Sequence, residues 1–154
     1  MKTLVLGLGN PILCDDGIGL RVVEELEVRL RPQEATITAD SLAGLDILDM
    51  LVGYDRVIII DSIRAGGVAG WIYRLELDAL LATRHATSVH DVNLATAVEL
   101  GRRLGLDLPQ KFDIFAIEVE NTTSFREECT PAVAKAIPIC VEMVLQTLRK
   151  DDNK

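Results

Sequence analysis

Asp16, Asp61 and His90 are of the side-chain types that bind a divalent metal or move a proton, and each occurs where one element of the chain meets the next. One imidazole nitrogen and two carboxylates suit a borderline dication such as nickel or zinc, with coordination positions left open. His90 stands just before a predicted helix, whose positive dipole end disfavours imidazolium and leaves a neutral ring able to bind metal. The other histidine, His85, has no such context. Asp61 directly follows the aliphatic run Val57–Ile60. A carboxylate there must reach solvent or find a cation or donor, because burying it unpaired is costly. Asp15 and Asp16 open a helix together; one is expected to cap it, and the other is then free to point into a crevice. Asp40 is placed like Asp61 but on a less apolar strand, where starting a turn and serving a function are equally open.

Other chemistries fit less well. None of the four serines lies in a G-x-S-x-G elbow, and there is no H-E-x-x-H helix. The run Gly7-Leu8-Gly9-Asn10-Pro11-Ile12 begins like a dinucleotide fingerprint but has isoleucine where the third glycine belongs. A phosphate at that helix start would also meet Asp15 and Asp16, so the glycines are read as permitting a tight strand-to-helix turn. Cys14 with His90 forms an alternative thiol nucleophile and base, against the ordinary reading of Cys14 as a small apolar loop residue. Glu118 and Glu120 share a strand face and are expected at a wet strand end.

The elements that position these residues follow from the hydrophobic pattern. Residues 3–8 read as a buried strand running into a loop, and Ile18, Val22, Leu26 and Leu30 then recur every four residues as in an amphipathic helix. Residues 35–39 form a weaker strand and 44–51 a short helix with Leu45, Leu48 and Leu51 inward. Residues 56–60 form the clearest central strand. Period-two alternation over 71–77 predicts an antiparallel or edge strand. Residues 78–90 are irregular, 91–104 a helix ended by Gly105, and 112–119 a further strand. Thr130-Pro131 opens the last helix with an N-cap threonine and proline in first position; it runs to about Arg149 with a kink near Pro138, and the tail 151–154 is expected to fray. The β-α-β-α-β order implies a parallel sheet with right-handed crossovers and helices on both faces, an α/β fold in which ligands bind at the carboxyl ends of the strands. The ends after the first three strands bring Asp16, Asp40 and Asp61 to one edge.

The chain has 154 residues, enough for one domain over 1–150, and the surface-scaling rule has it bury about 69% of its unfolded surface. Hydrophobic residues make up 49% of it but only six are aromatic, so the core is aliphatic. A net charge of −8 without a basic stripe argues against nucleic acid. Three cysteines without C-x-x-C spacing point to free thiols in a reducing cytoplasm. No stretch reaches the ~18 uninterrupted apolar residues of a membrane span, and a monomer is expected.

The run Gly7-Leu8-Gly9-Asn10-Pro11-Ile12-Leu13-Cys14-Asp15-Asp16-Gly17-Ile18-Gly19 resembles the N-terminal signature of the [NiFe]-hydrogenase maturation proteases. The likeness extends to Ile60-Asp61, to His90 before a helix and to Thr130-Pro131. The resemblance implies a three-layer α/β/α sandwich around a mostly parallel five-stranded sheet. It also implies an endopeptidase that removes the C-terminal extension of a hydrogenase large-subunit precursor after nickel insertion. The family's metal-contacting residues map onto Asp16, Asp61 and His90, and the nickel belongs to the precursor, so the free protein need not hold a metal. Gly9, Asn10 and Asp40 stand where substrate recognition is expected. The sequence departs from the family pattern in its Asp-Asp pair, in a second-strand loop (Asp40-Ser41-Leu42-Ala43-Gly44) without threonine, and in Val119 where proline is frequent. A non-enzymatic checkpoint that binds the precursor without cutting it is the alternative from another class.

Overall fold

Thr3–Leu8 is buried along its whole length and forms β1, the second strand of a five-stranded sheet. The others are β2 (Thr36–Asp40), β3 (Arg56–Ile63), β4 (Ile72–Leu75) and β5 (Lys111–Glu118), in the order β2-β1-β3-β5-β4. The computed structural model describes residues 1–41, 46–77 and 89–153, with residues 89–93 given by their backbone alone. Strands β2, β1, β3 and β5 are parallel, and β4 is antiparallel to β5 at the edge, as the alternation of 71–77 implies. Leu45 and residues 78–88, which include His85, lie outside the described residues.

Alternation along the strands divides the core in two. Val5, Ile58, Ile60, Phe115 and Ile117 face α1 (Ile18–Arg29) and the C-terminal helices, where Val22, Leu26, Val141 and Val144 complete the packing. Leu4, Leu6, Val57, Ile59 and Ile114 face α2 (Asp46–Leu51) and α3 (Val89–Arg103), against Ile47, Leu51, Leu94 and Val98. This is the α/β/α arrangement expected. Helix α1 lies unusually close to the sheet because glycines meet there: a Cβ on Gly7 would stand 2.6 Å from the Gly19 carbonyl oxygen, and one on Gly19 would strike the carbonyl oxygens of Leu8 and Ile60. The start of α1 is thereby held against the ends of β1 and β3.

The last helical stretch is two helices, α4 (Pro131–Ala134) and α5 (Ala136–Asp152), broken at Lys135. Pro138 cannot donate to the Ala134 carbonyl and its ring crowds that oxygen, so the break falls one turn before the proline. The run Pro131–Asp152 is long and apolar enough to cross a bilayer by composition, but its apolar side is the one that packs on the sheet. The tail expected to fray does not do so at Asp151. The helix continues through Asp152, and the Asp151 carboxylate meets Arg56 Nη1 at 2.6 Å and Lys111 Nζ at 2.7 Å. Arg56 is buried at the start of β3 and also binds Asp113 Oδ2 through Nε at 2.8 Å and Nη2 at 2.6 Å. This ion cluster closes the amino-terminal edge of the sheet, opposite the edge that carries Asp61.

Helix α3 runs from one edge to the other. Its end lies at the amino-terminal edge, where Leu106 N–H bonds to the Gly101 carbonyl, Gly53 N–H to that of Asp107 and Gln110 N–H to that of Asp55. From Gly101 back to His90 the helix rises roughly 17 Å, most of the height of an eight-residue strand. The backbone of His90, one residue inside the helix rather than before it, therefore lies toward the carboxyl edge, on the face of the sheet that Asp61 shares with Ile59 and Val57. The His90 side chain lies outside what is described.

Candidate functional site

The loop from Gly9 to Gly17 crosses the carboxyl edge and ends in a 3-10 turn, Cys14–Gly17. Neither aspartate of that turn caps α1: the N-cap is Gly17, with no side-chain bond. Asp15 is instead fully buried and accepts hydrogen bonds from the backbone N–H groups of Glu120 (3.2 Å), Asn121 (2.9 Å) and Thr130 (2.7 Å) and from the Thr130 hydroxyl (2.9 Å). Thr130 does precede Pro131 at the start of α4, but its hydroxyl serves Asp15 and makes no cap bond. Backbone bonds from Cys14 N to the Arg126 carbonyl and from Asp15 N to that of Asn121 join the same two segments. Arg21 reaches across with Nη2 to the carbonyls of Pro11 and Glu127. A loop adjacent in space but more than 100 residues away in sequence thus fixes the turn.

With Asp15 committed, Asp16 is the half-buried member of the pair. Its Oδ2 accepts the Asn10 N–H at 2.9 Å and its Oδ1 the Ser62 hydroxyl at 3.2 Å. Gly9 has φ +144°, and a Cβ there would collide with the Asp16 carbonyl oxygen, so glycine is required for the turn to fold back on the strand end. Gly9 and Asn10, expected as recognition residues, therefore also hold Asp16. Asp61 is buried at 1% exposure, and its Oδ1 accepts the Ser62 N–H at 2.7 Å. Asp16 and Asp61, which come from different elements, thus both bond to Ser62, one to its hydroxyl and the other to its backbone N–H. Asp40 pairs in register with Leu8, its carbonyl accepting the Gly9 N–H at 3.3 Å, and is half-buried beside the same loop.

Ser62 is the residue that sequence reasoning missed. Its signal was the period of the strand: Ser62 falls on the face of Ile58 and Ile60, which α1 and the turn before it cover, whereas Asp61 falls on the face of α3. Glu118 was expected at a wet strand end and is instead buried at 2% exposure. It accepts N–H bonds from Ala65 (2.8 Å) and Gly67 and the Tyr73 hydroxyl bond (3.3 Å), pinning the loop between β3 and β4. Partial burial, followed by the Glu118 charge, pushes the Tyr73 phenol above its ordinary value. Glu120 is exposed, so the two glutamates form no pair.

Cys14 is fully buried with φ +49°, and its Sγ accepts from Arg126 Nη2 at 3.4 Å. A thiol enclosed in this way cannot meet a peptide, which disfavours the thiol-hydrolase alternative. All three cysteines are free. Burial pushes Cys129 up to about 11, with the Asp15 charge adding to it, and Cys140 up to about 12. Among the described residues, no group of three or more His, Cys, Asp or Glu is placed to hold a metal ion; the His90 side chain is not one of them.

The family model HycI, hydrogenase maturation protease, matches residues 20–147, a stretch that begins just past the Gly7–Gly19 run. The chain is 32% identical over 155 residues to the hydrogenase 2 maturation protease of Escherichia coli (strain K12), covering 97% of this chain and 92% of that protein. Its fold is similar to that of the hydrogenase maturating endopeptidase HybD from E. coli, with a TM-score of 0.86 at 30% identity over 98% of this chain and 94% of that one. The [NiFe] hydrogenase maturation protease HybD from Thermococcus kodakarensis shares the fold at 21% identity, with a TM-score of 0.72 over 96% and 99% of the two chains. A family model across most of the sequence, a relative matched over nearly all of it, and a sheet edge that gathers the acids of the opening motif make this chain a member of the hydrogenase maturation proteases, a family of peptidases.

Proposed function

We propose that the chain removes the C-terminal extension from the large-subunit precursor of a [NiFe]-hydrogenase once nickel has been inserted, and that Asp16, Asp61 and His90 contact that nickel. The observation that carries this reading is the convergence of Asp16 and Asp61 on Ser62 at the carboxyl edge. The placement of the α3 start toward the same edge supports His90 as the nitrogen donor. Two carboxylates and an imidazole match a borderline dication presented by the precursor. A dication so engaged near the scissile bond polarises the peptide carbonyl or positions a water, and the protein's part is to orient it. Gly9, Asn10 and Asp40 line the loop ends beside Asp16 and are the proposed recognition residues.

The test is incubation with C-terminally extended large subunits, nickel-loaded and nickel-free, with the released peptide followed by mass spectrometry. Release from the nickel-loaded form alone is expected, and Asp16→Asn, Asp61→Asn or His90→Ala should lower its rate at least 100-fold. A complex that forms without peptide release would make the protein a checkpoint instead. Wild-type rates in all three variants would remove these residues from the site.

A further inference from the structure

We infer that Ser62 is a positioning residue for the peptide cleavage proposed above, fixing the plane of the Asp16 carboxylate relative to Asp61; the inference rests on that proposed function. Ser62 is 3% exposed at the end of β3 and uses two donors on two different acids. Its hydroxyl donates to Asp16 Oδ1 at 3.2 Å and its backbone N–H to Asp61 Oδ1 at 2.7 Å. The second Asp16 oxygen is taken by the Asn10 N–H at 2.9 Å.

The terminal torsion of an aspartate has broad wells, so a carboxylate held at one oxygen swings about that bond, and one held at both has a defined plane. At 3.2 Å the Ser62 hydroxyl contact is long for an O–H···O bond, so its part is to set a direction more than to add stability, and errors of about 1 Å in a reacting group cost roughly 100-fold in rate. Ser62→Ala removes the bond to Asp16 and keeps the backbone N–H on Asp61. It therefore separates orientation of Asp16 from the strand geometry that carries Asp61. The alanine fits the space the serine leaves.

Two measurements on the full chain decide the matter. With a nickel-loaded, C-terminally extended large subunit, Ser62→Ala should lower the rate of peptide release at saturation roughly tenfold with KM unchanged. Without any substrate, the Asn10 amide proton should shift in the NMR spectrum of Ser62→Ala, because the carboxylate it donates to has turned, while the melting temperature stays within a few degrees of wild type. A saturating rate within twofold of wild type, a rise in KM at constant kcat, or an unmoved Asn10 amide would overturn the inference. Failure of the wild type itself to release the peptide would instead overturn the proposed function, and the Asn10 shift would still report whether Ser62 orients Asp16.

Discussion

Asp15 and Asp16 are neighbours in one 3-10 turn, yet their carboxylates are held by different parts of the chain. Asp15 is locked by Glu120, Asn121 and Thr130, while Asp16 is held by Asn10 and Ser62 at the sheet edge. The buried acid fixes the turn, and the turn presents the half-buried one.

On the proposed function, this division separates stability from activity. Asp15→Ala strands the donors on Glu120, Asn121 and Thr130 and should lower the unfolding free energy by about 3 kcal/mol in urea titrations. Asp16→Asn should leave the urea midpoint nearly unchanged while removing peptide release. A marginal loss of stability in Asp15→Ala would show that the loop holds without it.

Gly9→Ala brings both penalties together. The new Cβ collides with the Asp16 carbonyl in a conformation that L residues rarely adopt, so the turn must shift. A loss of about 2 kcal/mol is expected, together with displacement of the Asn10 and Ser62 amide resonances. Wild-type spectra in Gly9→Ala would contradict the close contact.

At the far edge, Arg56→Ala removes the buried guanidinium and leaves Asp113 with Arg74 and Asp151 with Lys111, so the cost should be about 3 kcal/mol, the low end for a broken buried pair. Asp151→Asn, on a partly exposed partner, should cost about 1 kcal/mol. Peptide release by the folded fraction of either variant should match wild type, since the cluster lies at the opposite end of β3. Guanidinium melts paired with activity per folded molecule check both statements.

Cys140 supplies a pH dependence of known sign. Its thiol holds its proton up to about 12 in the folded chain against 9.0 for the ordinary thiol. The native state therefore binds that proton more tightly than the unfolded one. The resulting stability is full below the unfolded value and is lost as pH rises through the folded one, with Cys129 acting alike up to about 11. Stability should fall as pH climbs from 9, and Cys140→Ala should flatten that slope while costing about 1 kcal/mol at pH 7. An unchanged slope in the variant would locate the alkaline sensitivity elsewhere.

Much of the fold is legible in the hydrophobic pattern because the strands are uniformly aliphatic and α1 repeats every four residues. The edge position of β4 follows from its alternation. Asp16 can be read from its place at a loop end and Asp61 from the aliphatic run before it, although β3 runs on past Asp61 to Ile63. Local rules misassign Asp15 as a cap and place Thr130 correctly at the N-cap of α4, but they do not reveal that the two bind each other across 115 residues, the buried carboxylate taking the hydroxyl that a cap bond would use. Asp151 looks like a solvated tail for the same reason: Arg56 and Lys111 are invisible to any window that contains it. Ser62 is hidden by its neighbour, since a small polar residue after a conspicuous aspartate attracts no notice until the strand faces are assigned.

The close fit of Gly9 under the Asp16 carbonyl, with Asn10 donating back to the Asp16 carboxylate, closes a ring within the opening motif. Transplanted to the same strand-to-helix junction of another parallel sheet, that ring would bring the acid, but neither the distant segment that locks Asp15 nor the hydroxyl that holds the second Asp16 oxygen. Nor would it bring Asp61 or Ser62, which belong to β3, so a designer who grafts this motif alone inherits half of the proposed metal-contacting site.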